Sequence, residues 1–334
     1  MLGPAEEAAY YRVKNAVLNN EEFKEQKAYL KSGPLLTMLP IGQTCNLKCQ
    51  MCPIDRNSSF ACSNISLEEI KKFLPIVGQS ASVALYDQGE PLTNPDYEKI
   101  LDYVQECHPG IVMYTSTNGT FLNKYWRTKI VTYGYVVINI SVNAGTNYTY
   151  FKIMGKDALP TVMYNVRELV RERGENELPK ILLSFVLQKD NVHELPLFVS
   201  QAVDLGVDGV PIWDLIQYSP AHAQFAVTEK DLTSVYLEAK KIADKNNLPI
   251  LTFADIPYFD LKYDSVCRDP WQTMRVNPSG EVRTCCYNAK SYGNVFKQSF
   301  EEIWNSPEYQ ELRATVNSEN MLEVCKKCPR KINC

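Results

Sequence analysis

The chain predicts an α/β fold, in which a parallel sheet curls into a partial (β/α)6, TIM-like barrel and a small α+β domain follows. Two observations predict it. Apolar, strand-like runs alternate with helical stretches from residue 35 to about 255, and six strand–helix units of this length close part of a barrel. Most of the 11 cysteines in the 334 residues stand near the first strand or beyond residue 255, where the alternation stops. The expected division is a helical segment 1–34, a barrel core 35–255 and a metal-bearing domain 256–334.

Residues 1–34 read as a polar helical segment that Gly33-Pro34 brings to an end. Strands are expected at 35–40, 82–87, 111–115, 135–141, 181–187 and 209–216, each an apolar run of strand length. Ser66-Leu67-Glu68-Glu69 is a capping box that opens the first barrel helix. Asn94-Pro95 places a cap residue before a proline at the start of the second. Further helices are expected at 161–173, at 193–205 before Gly206, and near 228–245. Past 255, Met274 to Arg283 reads as a hairpin turning at Asn277–Gly280, and 299–316 reads as helical.

Composition narrows the function. With 35 basic and 39 acidic residues mixed along the chain, the net charge of −4 gives no electrostatic surface for nucleic acid. No apolar stretch approaches the roughly 18 residues that span a bilayer. The opening MLGPAEEAAYYRVK lacks the basic and apolar regions of a secretory signal. A cytoplasmic location follows, and in a reducing compartment cysteines argue for metal binding or catalysis over disulfides.

Cys45, Cys49 and Cys52 stand in one loop, TCNLKCQMCP, with the spacing C-x3-C-x2-C. Three thiolates can hold a 4Fe–4S cluster with one iron left open, or a structural zinc ion with a distant fourth ligand. A loop at the C-terminal end of a first barrel strand is well placed for catalysis. A second set, Cys267, Cys285, Cys325 and Cys328, suits a closed site of zinc or iron–sulfur type. Asp87-Gln88-Gly89-Glu90-Pro91 reads alone as an ordinary turn. The three histidines, His108, His193 and His222, form no hydrolase or zinc motif.

In order and placement these residues resemble the radical S-adenosylmethionine (radical SAM) enzymes over roughly residues 35–334. The resemblance implies that Cys45, Cys49 and Cys52 hold a 4Fe–4S cluster whose open iron takes the amino and carboxylate groups of SAM. Met51 occupies the position near the adenine where relatives have an aromatic residue. Gln88, Gly89 and Glu90 match the GGEP motif around the SAM ammonium, with Gln88 replacing its first glycine. Thr117-Asn118-Gly119 matches a TNG turn, Ser141 a serine that contacts SAM, and Asn143 a position where aspartate is frequent. The spacing C-x12-G-x4-C from Cys267 through Gly280 to Cys285 resembles SPASM/twitch domains, which carry auxiliary 4Fe–4S clusters. Cys325, Cys328 and Cys334 begin the fuller SPASM pattern, which implies one auxiliary cluster on Cys267, Cys285, Cys325 and Cys328. Cys334 then either replaces one ligand or is a terminal thiol. Cys62 and Cys107 read as small buried hydrophobes, Cys107 as core.

The activity implied is reductive cleavage of SAM to a 5′-deoxyadenosyl radical that abstracts hydrogen from a substrate, with electrons from a flavodoxin- or ferredoxin-type donor. The segment 1–34 is too short for the leader-recognition domain of peptide-modifying members. The expectation is therefore a small polar substrate, sugar- or aminocyclitol-like, that is oxidised. Alternatives are epimerisation with Cys286 as hydrogen donor, modification of a peptide, and a non-enzymatic iron–sulfur carrier. Nucleic acid and membrane are not expected as partners.

Overall fold

The computed structural model describes residues 4–52, 64–86, 88–133, 135–216, 220–227, 229–251, 266–326 and 328. Helix α1 (Pro4–Lys24) precedes β1 (Leu36–Leu39), α2 (Leu67–Val77), β2 (Ser82–Leu85), α3 (Tyr97–Cys107), β3 (Val112–Thr117), α4 (Lys124–Thr132) and β4 (Tyr135–Ser141). Two helices, α5 (Asn147–Met154) and α6 (Leu159–Arg173), lead to β5 (Lys180–Val186). Then follow α7 (Leu195–Leu205), β6 (Val210–Trp213), α8 (Glu229–Lys245) and β7 (Ile250–Leu251). The C-terminal part holds α9 (Asp269–Gln272), β8 (Thr273–Val276), β9 (Val282–Arg283), α10 (Phe300–Trp304), α11 (Pro307–Thr315) and α12 (Glu323–Lys326).

These strands form one sheet in the order β7-β6-β5-β4-β3-β2-β1-β8-β9, parallel throughout except for β9. Both faces are buried. Leu36, Met38, Ala84, Tyr114, Val137 and Leu182 pack on the inner face. Leu39, Val83, Leu85, Ile138, Ile140 and Leu183 pack outward with the helices. Burial on both faces is why these strands read as continuous apolar runs. Each fully buried Leu or Ile contributes roughly 1.5–3 kcal/mol.

The capping box of α2 is present, with Ser66 and Glu69 each accepting the other's backbone N–H. Four features depart from expectation. Helix α3 begins at Tyr97, and Asn94 is instead a buried clamp that donates to Ile41 O at 2.7 Å and Ile65 O at 2.8 Å. The stretch 299–316 is two helices, because Ser306-Pro307 ends one and caps the next. Cys107 is exposed rather than core, since the buried face of α3 ends with Val104 and the last turn lies outside it. The C-terminal hairpin forms as β8 and β9, yet β8 also pairs in parallel with β1 and extends the barrel sheet.

Helix α1 and the residues after it are clasped to the part of the chain that begins at α9. Buried Asn19 of α1 donates to Trp271 O at 2.7 Å, and the Trp271 indole donates to Lys27 O at 2.8 Å. Phe23 meets the Trp271 ring edge-on at 5.4 Å between centroids. The Arg313 guanidinium lies 4.5 Å from the rings of both Trp304 and Tyr309 and donates to Pro270 O and Ala28 O. No helix among the described residues is long and apolar enough to cross a membrane.

Candidate active site

The three-cysteine loop leaves β1 and is held from two sides. On one side, the last carbonyls of α5, which have no partner inside their helix, accept from the loop: Ile153 O from Gln50 N at 2.9 Å and Met154 O from Lys48 N at 3.2 Å. Gly155 ends α5 in the left-handed region (φ 74°), where a Cβ would lie 2.9 Å from Lys48 O. On the other side, Asn118 of the turn after β3 donates to Asn46 Oδ1 at 2.9 Å, and Asn46 donates to Thr120 at 2.8 Å. Cys45, Cys49 and Cys52 are half-buried, and Cys45, Cys49 and Met51 pack against the core. The Cys49 thiol lies 3.6 Å from Met154 Sδ.

Tyr150, one turn before Met154 on the same face of α5, is fully buried, and its hydroxyl has no hydrogen-bond partner among the described residues. Burial first, then the charges of Cys49, Glu90 and Cys45, push the phenol above its ordinary pKa. A buried O–H without a partner among the described residues, on the helix whose Met154 touches the Cys49 thiol, is a donor lacking an acceptor. The sulfurs of a cluster on Cys45, Cys49 and Cys52 would supply one, so the residues present fit that group.

The Gly89-Glu90 turn lies against the same loop. Gly89 has φ 82°, and a Cβ there would meet Gly42 O at 2.6 Å and Thr44 O at 2.8 Å, so only glycine fits. Glu90 N donates to Thr44 O at 2.8 Å, and Gln43 donates to Gln88 Oε1 at 3.1 Å. The buried Glu90 carboxylate accepts from Thr117 Oγ1 at 2.7 Å, Asn118 N at 2.6 Å and Leu92 N at 3.1 Å. Burial pushes its pKa up to about 7, against the pull of those three donors. Glu90 and Thr117 thus tie two expected SAM-binding turns to each other. Asn143 is buried with φ 62°, a left-handed conformation that asparagine tolerates. Its Oδ1 accepts from Val186 N at 2.8 Å and its Nδ2 faces Met154 Sδ at 3.3 Å. That engagement positions the end of β4.

A cavity of about 330 Å³ occupies the barrel interior. Ser141, Asn139, Ser116 and Ser184 give it a polar wall, Trp213 and Tyr86 an aromatic one, and Cys285 and Cys286 close it from the C-terminal domain. Asn139 Nδ2 donates to both Ser116 and Ser184 at 3.1 Å. Among the second cysteine set, Cys285 stands just past β9, and burial pushes its thiol up to about 12, helped by Asp269 and Cys286. Burial, with the charges of Cys325 and Cys285 behind it, pushes the Tyr292 phenol up to about 12. Asn317 takes the Cys267 N–H at 2.7 Å and donates to its carbonyl at 2.9 Å. Cys328 N donates to Cys325 O at 3.3 Å. Among the described residues no three Cys, His, Asp or Glu side chains converge as one bound ion requires. Asp87, Cys62 and Cys334 lie outside the described residues. Sequence reasoning missed Tyr150 and Asn139, because neither stands in a spaced motif.

Comparison with known proteins agrees with this architecture. Residues 39–200 match the model of the radical SAM superfamily, and 267–329 match SPASM, an iron–sulfur cluster-binding domain. The tungsten-containing aldehyde ferredoxin oxidoreductase cofactor-modifying protein of Pyrococcus furiosus is 25% identical over 324 residues, covering 89% of this chain and 87% of its own. A PqqA peptide cyclase of Methylorubrum extorquens is 26% identical over 319 residues, covering 89% and 78%. The subtilosin biosynthesis protein AlbA of Bacillus subtilis is 26% identical over 290 residues, covering 82% and 60%. Among solved structures, Streptococcus suis SuiB bound to S-adenosylmethionine superposes with a TM-score of 0.70 at 18% identity, covering 97% of this chain and 77% of that one. These relatives are named for peptides or cofactors, so the expected sugar-like substrate draws no support from them. The radical SAM domain binds a 4Fe–4S cluster and SAM, and the SPASM domain binds auxiliary iron–sulfur clusters. The chain thus carries a radical SAM domain over 39–200 and a SPASM domain over 267–329, whose Cys285 and Cys286 complete the wall of the barrel cavity.

Proposed function

We propose that this protein cleaves SAM reductively at Cys45, Cys49 and Cys52 and abstracts hydrogen from a side chain of a peptide that enters the barrel cavity. One observation carries the reading: a single cavity has barrel strand ends on one wall and the SPASM cysteines Cys285 and Cys286 on another. When bound, the cluster and SAM supply a 5′-deoxyadenosyl radical, and an auxiliary cluster on Cys267, Cys285, Cys325 and Cys328 supplies an electron acceptor.

The chain's own groups do the rest. Glu90 and Ser141 hold the polar end of SAM, with the glycine turn close enough for backbone contact. Met51 packs beside the adenine. The serine and asparagine wall orients the target C–H bond, and the apolar inner face excludes water. The cavity is at the small end for ligand sites, which suits one inserted side chain. Oxidation of that side chain is the preferred outcome, because electrons leave more readily toward a nearby cluster. An external flavodoxin- or ferredoxin-type donor supplies the electron that starts the cycle.

A second reading, modification of a cofactor or its precursor, is favoured by the Pyrococcus relative, which this chain matches nearly end to end. A perdeuterated cell extract, split by ultrafiltration into polypeptide and small-molecule fractions, separates the two. Deuterium should appear in 5′-deoxyadenosine when the reduced protein and SAM meet the polypeptide fraction. Transfer from the small-molecule fraction alone would replace the peptide reading by the second.

A further inference from the structure

Tyr150 has no role in the reading above, yet its surroundings are unusual for a tyrosine. A buried hydroxyl without a partner is costly, and most buried polar atoms avoid that cost. The ring is fully buried on the inner face of α5, with Thr149, Ile153 and Met154. Ile153 and Met154 are the residues whose carbonyls carry the cysteine loop, and Met154 Sδ is 3.6 Å from the Cys49 thiol. The hydroxyl therefore sits on a rigid element fixed to the same loop as the thiols. The charges that act on it are those of Cys49, Glu90 and Cys45. Of these, Glu90 already accepts three donors from Thr117, Asn118 and Leu92.

We propose that Tyr150 donates its hydroxyl hydrogen to a sulfur of the cluster held by Cys45, Cys49 and Cys52 and thereby raises the reduction potential of that cluster. This rests on the reading of those cysteines as cluster ligands. Adding an electron places more negative charge on the sulfurs, so a fixed donor stabilises the reduced form more than the oxidised form. Tyr150 is in this sense a positioning residue: it sets how readily the cluster accepts the electron and takes no part in bond cleavage.

Tyr150→Phe removes the hydroxyl and keeps the ring. Wild type and variant, both full length and reconstituted with iron and sulfide, are titrated electrochemically without SAM and followed by electron paramagnetic resonance. At one fixed potential the variant should show a several-fold smaller fraction of reduced cluster, a tenfold change corresponding to about 59 mV for one electron. Selective loss of iron from this cluster, with the auxiliary site full, would equally support the assignment. An unchanged midpoint at full iron content would overturn it. So would a potential that stays fixed while SAM affinity falls, since the hydroxyl would then serve SAM. General loss of folding would also overturn it, by showing that the hydroxyl has a partner elsewhere in the chain. Absence of any cluster on the wild-type loop would instead refute the ligand reading beneath it.

Discussion

Glu90 takes donors from Thr117, Asn118 and Leu92. Ionised, it meets the cost of burial; protonated, it must give up one of those bonds. The balance leaves its folded pKa at about 7 against an ordinary 4.5. Because the folded value is the higher one, Glu90's contribution is fully present below about pH 4.5 and is lost as pH rises to about 7, an effect of about 3 kcal/mol. Glu90→Gln should flatten urea-melt stability across that window. A bound ammonium lowers the carboxyl pKa, so SAM affinity in wild type should tighten through about pH 7, and the glutamine variant should lose that dependence, as calorimetry at several pH values can check. Cys286 makes a second test at this scale, since its position on the cavity wall is shared by both radical outcomes. Cys286→Ala with full iron should keep 5′-deoxyadenosine formation and oxidised product by mass spectrometry in deuterated water. An epimer with one solvent deuteron, lost in the variant, would instead make Cys286 the hydrogen donor. The cysteines and Glu90 were legible in sequence because thiolate chemistry and a glycine turn constrain both residue type and spacing. Tyr150 was not, since only packing brings α5 against the cysteine loop.

Helix α5 shows what sequence periodicity leaves out. Its eight residues, NYTYFKIM, are short for a helix and include aromatic and β-branched side chains that favour it little. What holds it is tertiary: the loop amides of Lys48 and Gln50 close its C-terminal carbonyls, and Gly155 turns the chain away. Gly155→Ala should therefore cost about 1–2 kcal/mol through the left-handed backbone and the contact with Lys48 O. Its sharper signature is local. Iron analysis with Mössbauer spectroscopy should show less of the open-iron cluster while the auxiliary site stays filled. The long barrel strands were readable because both of their faces are buried. The two residues of β7 were not, being too short to make a pattern. Asn94 misled for a similar reason: Asn-Pro is a helix-start signal, but here the asparagine spends its amide on Ile41 and Ile65.

At the scale of the molecule, residues from both ends of the chain meet around Trp271 and Arg313. Arg313→Ala removes two donors to backbone carbonyls and the stack on Trp304 and Tyr309, and should cost about 2–4 kcal/mol in a denaturant melt. A loss below about 0.5 kcal/mol would mean that the clasp is incidental to the fold. The pairing of β8 with β1 was beyond the reach of sequence reading, because a hairpin signal says nothing about a distant third strand. Leu36 pairs with Thr273, 237 positions later. On a ribosome adding about 5–20 residues per second, roughly 10–50 s separate the synthesis of the two partners. Through that interval one edge of the first strand stands open, and the cysteine loop is made while the wall carrying Cys285 does not yet exist. Iron delivery to the nascent chain thus has a window set by elongation rate, longer where codons before residue 267 are slow and shorter where they are fast.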